Sequence, residues 1–240
     1  MSRISIYNSS IVLKFLILFP IHLWSGGGSF LDVVPRSKWW ADEWKSASTS
    51  KKVKVSGRGR RAKYRTVIRE APSKDIKGFC QRTWVEGSCK VSGYKQIVWH
   101  HTDSRDQYPN LVSMALFHQG KHFCDLAYHF VIKKNSSGRW AVYEGTPLGY
   151  VGSHAGGCNF IHGTRLGTIG IAVAGDFGQQ KPDAELKKVM TKLQDRLVSR
   201  YKIRSVGAHR DGPYAVNDGH DCPGKYMVPF ISELHNRAAH

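Results

Sequence analysis

A chain of 240 residues suffices for one well-buried domain plus an appendage, and 41% hydrophobic with 22% charged residues is the balance of a globular protein, not of a disordered one. Charge is the unusual quantity. The 36 Lys+Arg against 18 Asp+Glu leave +18, a field that favours anionic partners and says nothing about fold.

The first 28 residues read as a secretory signal peptide, which predicts an extracellular protein. Arg3 supplies the positive start, "FLILFPIHLW" (15–24) the apolar core and "SGGGS" a small-residue stretch suited to cleavage. That core is shorter than the roughly 20 residues a membrane-spanning helix needs. Residues 29–77 read as a basic, Ser/Gly-rich arm or linker: "KSASTSKKVKVSGRGRRAKYR" (45–65) shows no sustained apolar period. From Arg36 to Lys90 there are 16 basic and 5 acidic residues, a net +11. Within it, "WWADEW" (39–44) is an aromatic cluster suited to docking on the domain or at a membrane interface. "RGRR" (58–61) has the form of a dibasic processing site.

From residue 78 to 240 the pattern becomes that of a folded domain. "KQIVWH" (95–100) predicts a strand ending at two histidines, and "NLVSMALFHQGKHF" (110–123) carries apolar residues at helical spacing. "LAYHFVIKK" (126–134) and "RWAVYEG" (139–145) flank the turn "NSSG" as a hairpin, and "TIGIAVAG" (168–175) is a buried β run. Pro182 and Asp183 start a helix through 201 whose Leu186, Val189, Met190, Leu193 and Leu197 share a face. "IRSVGAH" (203–209) returns as a strand, and 223–238 closes the chain as a helix that Pro229 kinks or delays. Strands alternating with helices, plus one hairpin, predict an α/β domain with a mixed central sheet flanked by helices.

Five residues have the chemistry of metal ligands at two strand ends: His100 and His101 in "IVWHHTDS", and His209, His220 and Cys222 in "AHRDGPYAVNDGHDCPG". A hydrolytic zinc takes three protein ligands and leaves a position for water, so His100 or His101 with His209 and Cys222 would supply a set. The ordinary reading of so many histidines is chance adjacency in a chain that holds twelve. If Cys222 is a ligand, four cysteines remain for two disulfides, Cys80 with Cys89 and Cys124 with Cys158, although spacing alone does not determine the pairing.

The motifs "VWHHTDS", "CDLAYHFVIKKNSSGRWAVYEGT", "GSHAGGCN", "TIGIAVAGDF" and "GAHRD…DCPG" occur in the order found in type 2 N-acetylmuramoyl-L-alanine amidases, and residues 94–236 resemble that family, which includes the peptidoglycan recognition proteins. The resemblance implies a Zn²⁺ amidase with His100, His209 and Cys222 as ligands. It also implies Tyr128 as the group that positions the attacking water or the scissile carbonyl, and His154, His101, Thr102 and Asn159 along the substrate groove. Members that only bind peptidoglycan typically lack the cysteine, so Cys222 favours catalysis over a binding module. Two features depart from the family pattern. The interval from His209 to Cys222 is longer, and His220 stands where catalytic relatives carry Lys or Thr, a place from which it could donate to a developing oxyanion or displace a ligand. The implied partner is bacterial peptidoglycan, with the basic arm suited to anionic wall polymers or membrane surfaces. Nucleic acid is not an expected partner.

Overall fold

The computed structural model describes residues 32–43, 48–56, 63–70, 91–121, 123, 125–155, 166–212 and 220–239. The signal-peptide stretch, "RGRR", Cys80, Cys89, Cys124, Cys158 and Asn159 lie outside the described residues, and so does any test of the disulfide pairing.

Alternation along β4 (Gly93–His101) sends Ile97 and Trp99 to one face and Val98 and His100 to the other. The same period divides β7 (Leu166–Val173) into Ile169, Ile171 and Val173 against Thr168, Gly170 and Ala172. With β1 (Val33–Val34), β5 (Phe130–Lys134), β6 (Trp140–Glu144) and β8 (Ser205–Ala208) these form a six-stranded sheet in the order β1-β6-β5-β7-β4-β8. β5 and β6 are the antiparallel hairpin. β5, β7, β4 and β8 run parallel, so the sheet is mixed and their C-terminal ends share one edge.

The apolar face carrying Ile97, Trp99, Ile171 and Val173 packs on α3 (Ala184–Tyr201) and α4 (Val228–Ala239). Asp183 caps α3 by accepting from the Leu186 N–H at 2.7 Å, and its other oxygen takes the Trp140 indole N–H at 2.9 Å. Gln194, fully buried on α3, accepts from the Trp99 indole at 3.3 Å and donates to the Leu234 carbonyl at 2.6 Å, so its burial leaves no polar atom unmatched. Pro229 falls in the first turn of α4, where its missing N–H costs no hydrogen bond, and the helix starts at Val228 instead of at residue 223.

On the opposite face, α1 (Arg36–Glu43) and α2 (Leu111–Gln119) cover Val131 and Tyr143 with a second core of Trp39, Trp40, Leu111, Val112, Ala115 and Leu116. That core lies over β5 and β6. Among the described residues, β4, β7 and β8 on this face carry the histidine cluster instead of a helical layer.

Part of the stretch expected to be an arm is regular structure. Val33 and Val34 pair in parallel with Val142 and Tyr143, and α1 docks through Trp39, whose indole donates to the Glu144 carbonyl at 2.7 Å. Arg36 lies against both indoles and pairs with the buried Asp125 at 2.6 Å. Farther on, β2 (Ser48–Ser56) and β3 (Lys63–Glu70) form an antiparallel ladder in which Lys51 faces Val67 and Val53 faces Arg65. The sequence cue is the run Lys-Val-Lys-Val, an alternation of period two in β-branched residues without a sustained apolar run.

Candidate metal centre

The parallel register of β4 and β8 brings the first two histidines together. Trp99 lies opposite Ala208, so the next residue on each strand, His100 and His209, emerges side by side, and their ring centroids are 4.4 Å apart. His209 opens a 3₁₀ turn to Asp211, which holds the end of β8 by accepting the Ala208 N–H at 3.0 Å.

The third group comes from the far end of the interval 209–222. The Arg210 N–H donates to the Cys222 carbonyl at 2.8 Å, which fastens the cysteine turn to the histidine turn despite the long interval between them. Behind it, Gly224 (φ +90°) sits against the Phe177 backbone, where a Cβ would come within 2.3 Å of the carbonyl carbon. Only glycine fits that approach.

Cys222 Sγ lies 3.7 Å from His100 Nδ1, and the donor atoms of His100, His209 and Cys222 all fall within 4.8 Å of one another. A tetrahedral zinc with S and N at its usual bond lengths has an S···N edge of about 3.6 Å, so the observed separation fits. The protonation states fit as well. Burial, followed by His154 and His209, holds His100 well below the usual imidazole range, and burial followed by His220 lowers His209. Both are therefore neutral with a lone pair to offer. Burial pushes the Cys222 thiol up to about 12, with the His101 backbone pulling the other way. A thiol so raised is a poor free nucleophile and ionises readily only beside a cation, so the donor set suits zinc better than covalent cysteine chemistry.

Tyr128 is half-buried with its ring 5.1 Å from that of His100 and 5.7 Å from that of His118. Burial, reinforced by Cys222, raises its hydroxyl above the usual phenol range, so it remains a hydrogen-bond donor. His220 is exposed, its ring 5.7 Å from that of His209 on the outer side of the cluster.

Of the residues expected along the groove, His154, His101 and Thr102 lie among the described residues. His154 is 6% exposed and sits behind His100, with Nδ1 3.0 Å from His100 Nε2. His101, on the other face of β4, is buried and accepts the Phe177 N–H at Nδ1, which secures the turn against which Gly224 packs. Thr102 joins the ends of β4 and β7: its N–H donates to the Val173 carbonyl and its hydroxyl accepts the Gly175 N–H, both at 3.0 Å. His101, Asp103 and Asp176 also bring donor atoms within 4.8 Å, but His101 Nδ1 and Asp176 Oδ1 already accept backbone N–H groups.

Three contributors carried no clear mark in the sequence. Thr168 and Gly170 on β7 read as part of an apolar run, yet they form the floor beneath His154. Their small size on alternate positions was the available signal. His129, given no role from sequence, is fully buried and accepts the Gly170 N–H at 3.0 Å while donating to the Tyr150 carbonyl at 2.9 Å.

The model of the N-acetylmuramoyl-L-alanine amidase family matches residues 91–225. Comparison with curated proteins gives no match. Among solved structures, the chain is similar to an endolysin N-acetylmuramoyl-L-alanine amidase from Clostridium intestinale, with 26% identity, a TM-score of 0.49, and coverage of 60% of this chain and 83% of that one. It is also similar to PGRP-LB of Drosophila (20% identity, TM-score 0.47, 60% and 82% covered). A third likeness is to the endolysin of the Thermus scotoductus bacteriophage Ph2119 (23% identity, TM-score 0.45, 64% and 95% covered).

Proposed function

Because this chain belongs to the N-acetylmuramoyl-L-alanine amidase family, whose model covers more than half of the sequence, we propose that it hydrolyses the amide between N-acetylmuramic acid and L-alanine in bacterial peptidoglycan, with zinc held by His100, His209 and Cys222. The observation that carries this reading is the 3.7 Å approach of Cys222 Sγ to His100 Nδ1 within a two-imidazole, one-thiol cluster. Zinc bound there would lower the pKa of a water to about 7 and polarise the scissile carbonyl.

The remaining work falls to side chains. His100 and His209, neutral at physiological pH, keep their ring nitrogens available as ligands. Tyr128, protonated and beside His100, donates to the substrate carbonyl oxygen as charge develops on it. His220, on the solvent side of His209, offers an N–H to the same oxygen or to the departing amine. Export through residues 1–28 and association of the basic segment with anionic wall polymers belong to the same proposal. The net +18 supports the association, which added salt weakens, and the charged start and apolar core of residues 1–28 support the export.

The test is zinc content together with mass spectrometry of released muropeptides, for the wild type and Cys222→Ser. The expected result is roughly one zinc per chain and released stem peptide in the wild type, with both lost in the variant or on chelation. Peptidoglycan binding that survives chelator, with no peptide released, would establish recognition without turnover instead. The exposed His220 at a position of Lys or Thr in catalytic relatives is the feature that favours that second reading.

A further inference from the structure

His154 has no free polar atom with which to meet a substrate. It is 6% exposed, its Nδ1 lies 3.0 Å from His100 Nε2, and its Nε2 lies 3.2 Å from the Thr168 carbonyl and 3.1 Å from the Thr168 hydroxyl. The ring occupies space that exists because β7 has glycine at 170: a Cβ there would come within 2.4 Å of the His154 Cγ.

The direction of this chain of hydrogen bonds follows from its two ends. At one end, His100 turns Nδ1 toward Cys222 Sγ at 3.7 Å, so Nδ1 is the ligand atom and carries no proton. Neutral His100 then bears its proton on Nε2 and donates it to His154 Nδ1, which must be bare. Neutral His154 bears its own proton on Nε2, where the Thr168 carbonyl, which can only accept, receives it. The reverse arrangement would place a proton on the ligand nitrogen and leave the carbonyl facing a lone pair. Ligand histidines are commonly held in this way by an acceptor behind them, which sets tautomer and ring rotation.

From this geometry we infer that His154 is a positioning residue for the metal centre, holding His100 in its Nε2–H tautomer through the relay His100–His154–Thr168, and is not a groove residue that contacts peptidoglycan. A neutral imidazole in this place, where a carboxylate would add charge, leaves the Cys222 thiolate as the one anion of the ligand set. The inference rests on the zinc reading above and makes a claim separable from it.

The experiment measures zinc affinity by chelator competition on the full chain without substrate, alongside kcat and KM on muropeptide. The set is the wild type, His154→Leu, His154→Asn and Thr168→Val. Asparagine places a carbonyl oxygen near the Nδ1 position and can accept from His100, whereas leucine cannot. Loss of a ligand's outer partner typically weakens metal binding 10- to 100-fold, and that is the loss expected for His154→Leu. The expected result for His154→Asn is recovery of most of that affinity, and Thr168→Val should stay near the wild type because its carbonyl remains. The inference is overturned if His154→Leu keeps wild-type zinc affinity and raises only KM, the signature of a groove residue, or if a folded His154→Asn binds zinc as weakly as the leucine variant. A wild type that binds no zinc would instead overturn the metal reading from which the inference starts.

Discussion

Tyr128 stands between two rings of different purpose. His100 is a proposed ligand at a centroid distance of 5.1 Å, and His118, at 5.7 Å, is a structural histidine that accepts the Ala127 N–H. The packing fixes the phenol's orientation and the hydroxyl carries the proposed chemistry, so the two can be separated by substitution. Tyr128→Phe keeps the packing and should bind zinc and muropeptide nearly as the wild type does, while kcat falls roughly 100- to 1,000-fold, the usual effect of removing one donor to a developing oxyanion. Unchanged kcat in steady-state muropeptide assays would remove Tyr128 from the mechanism. The ligands show the same division of labour. His100 was identifiable from its motif, but which of its nitrogens faces the metal, and what holds the other, depended on residues 54 and 68 positions away.

At the scale of elements, the N-terminal strand and helix are held to the domain by a buried charge pair. Arg36 forks onto Asp125, with contacts of 2.6 and 2.8 Å, and its guanidinium stacks on Trp39 and Trp40. Burial raises the Asp125 carboxyl above its usual range, against the pull of Arg36. Removing the cation leaves the carboxylate buried alone, so Arg36→Ala should cost about 3–5 kcal/mol in urea unfolding, more than a surface ion pair could account for. A shift below about 1 kcal/mol would mean that α1 detaches without consequence. Sequence could not reveal this pairing, because an Arg in a segment dense with basic residues carries no mark of the carboxylate, 89 positions on, that its guanidinium meets.

Across the whole molecule, buried neutral histidines outside the metal cluster make stability depend on pH. Burial pushes His118 down to about 4, with Lys121 adding to the shift, and His129 down to about 4 against the pull of the Tyr150 carbonyl. In the unfolded chain both titrate near 6.5. The unfolded state therefore binds more protons below that value, and stability falls as pH drops from about 6.5 toward 4 and is flat above it. Each group contributes on the order of 3 kcal/mol by pH 4. Urea midpoints at pH 7.5 and 4.5 check this, and equal midpoints would contradict it; His129→Gln should flatten part of the slope.

Local pattern alone determined the class of fold and the positions of most strands and helices, and it marked the residues with metal-ligand chemistry while leaving His100 and His101 as alternatives. Those features depend on alternation of period two, on helical spacing, and on residue types whose coordination chemistry travels with them. The tertiary structure decided what depends on partners distant in the chain. It returned Cys222 to His100 across a long interval of sequence through the Arg210–Cys222 backbone bond, and it drew part of the basic stretch into the sheet beside Val142. It also turned His154 away from solvent and onto Gly170. A histidine looks the same in sequence whether it lines a groove or braces a ligand. What distinguishes the two is the atom facing each ring nitrogen, and only the folded register of β4 and β7 places that atom.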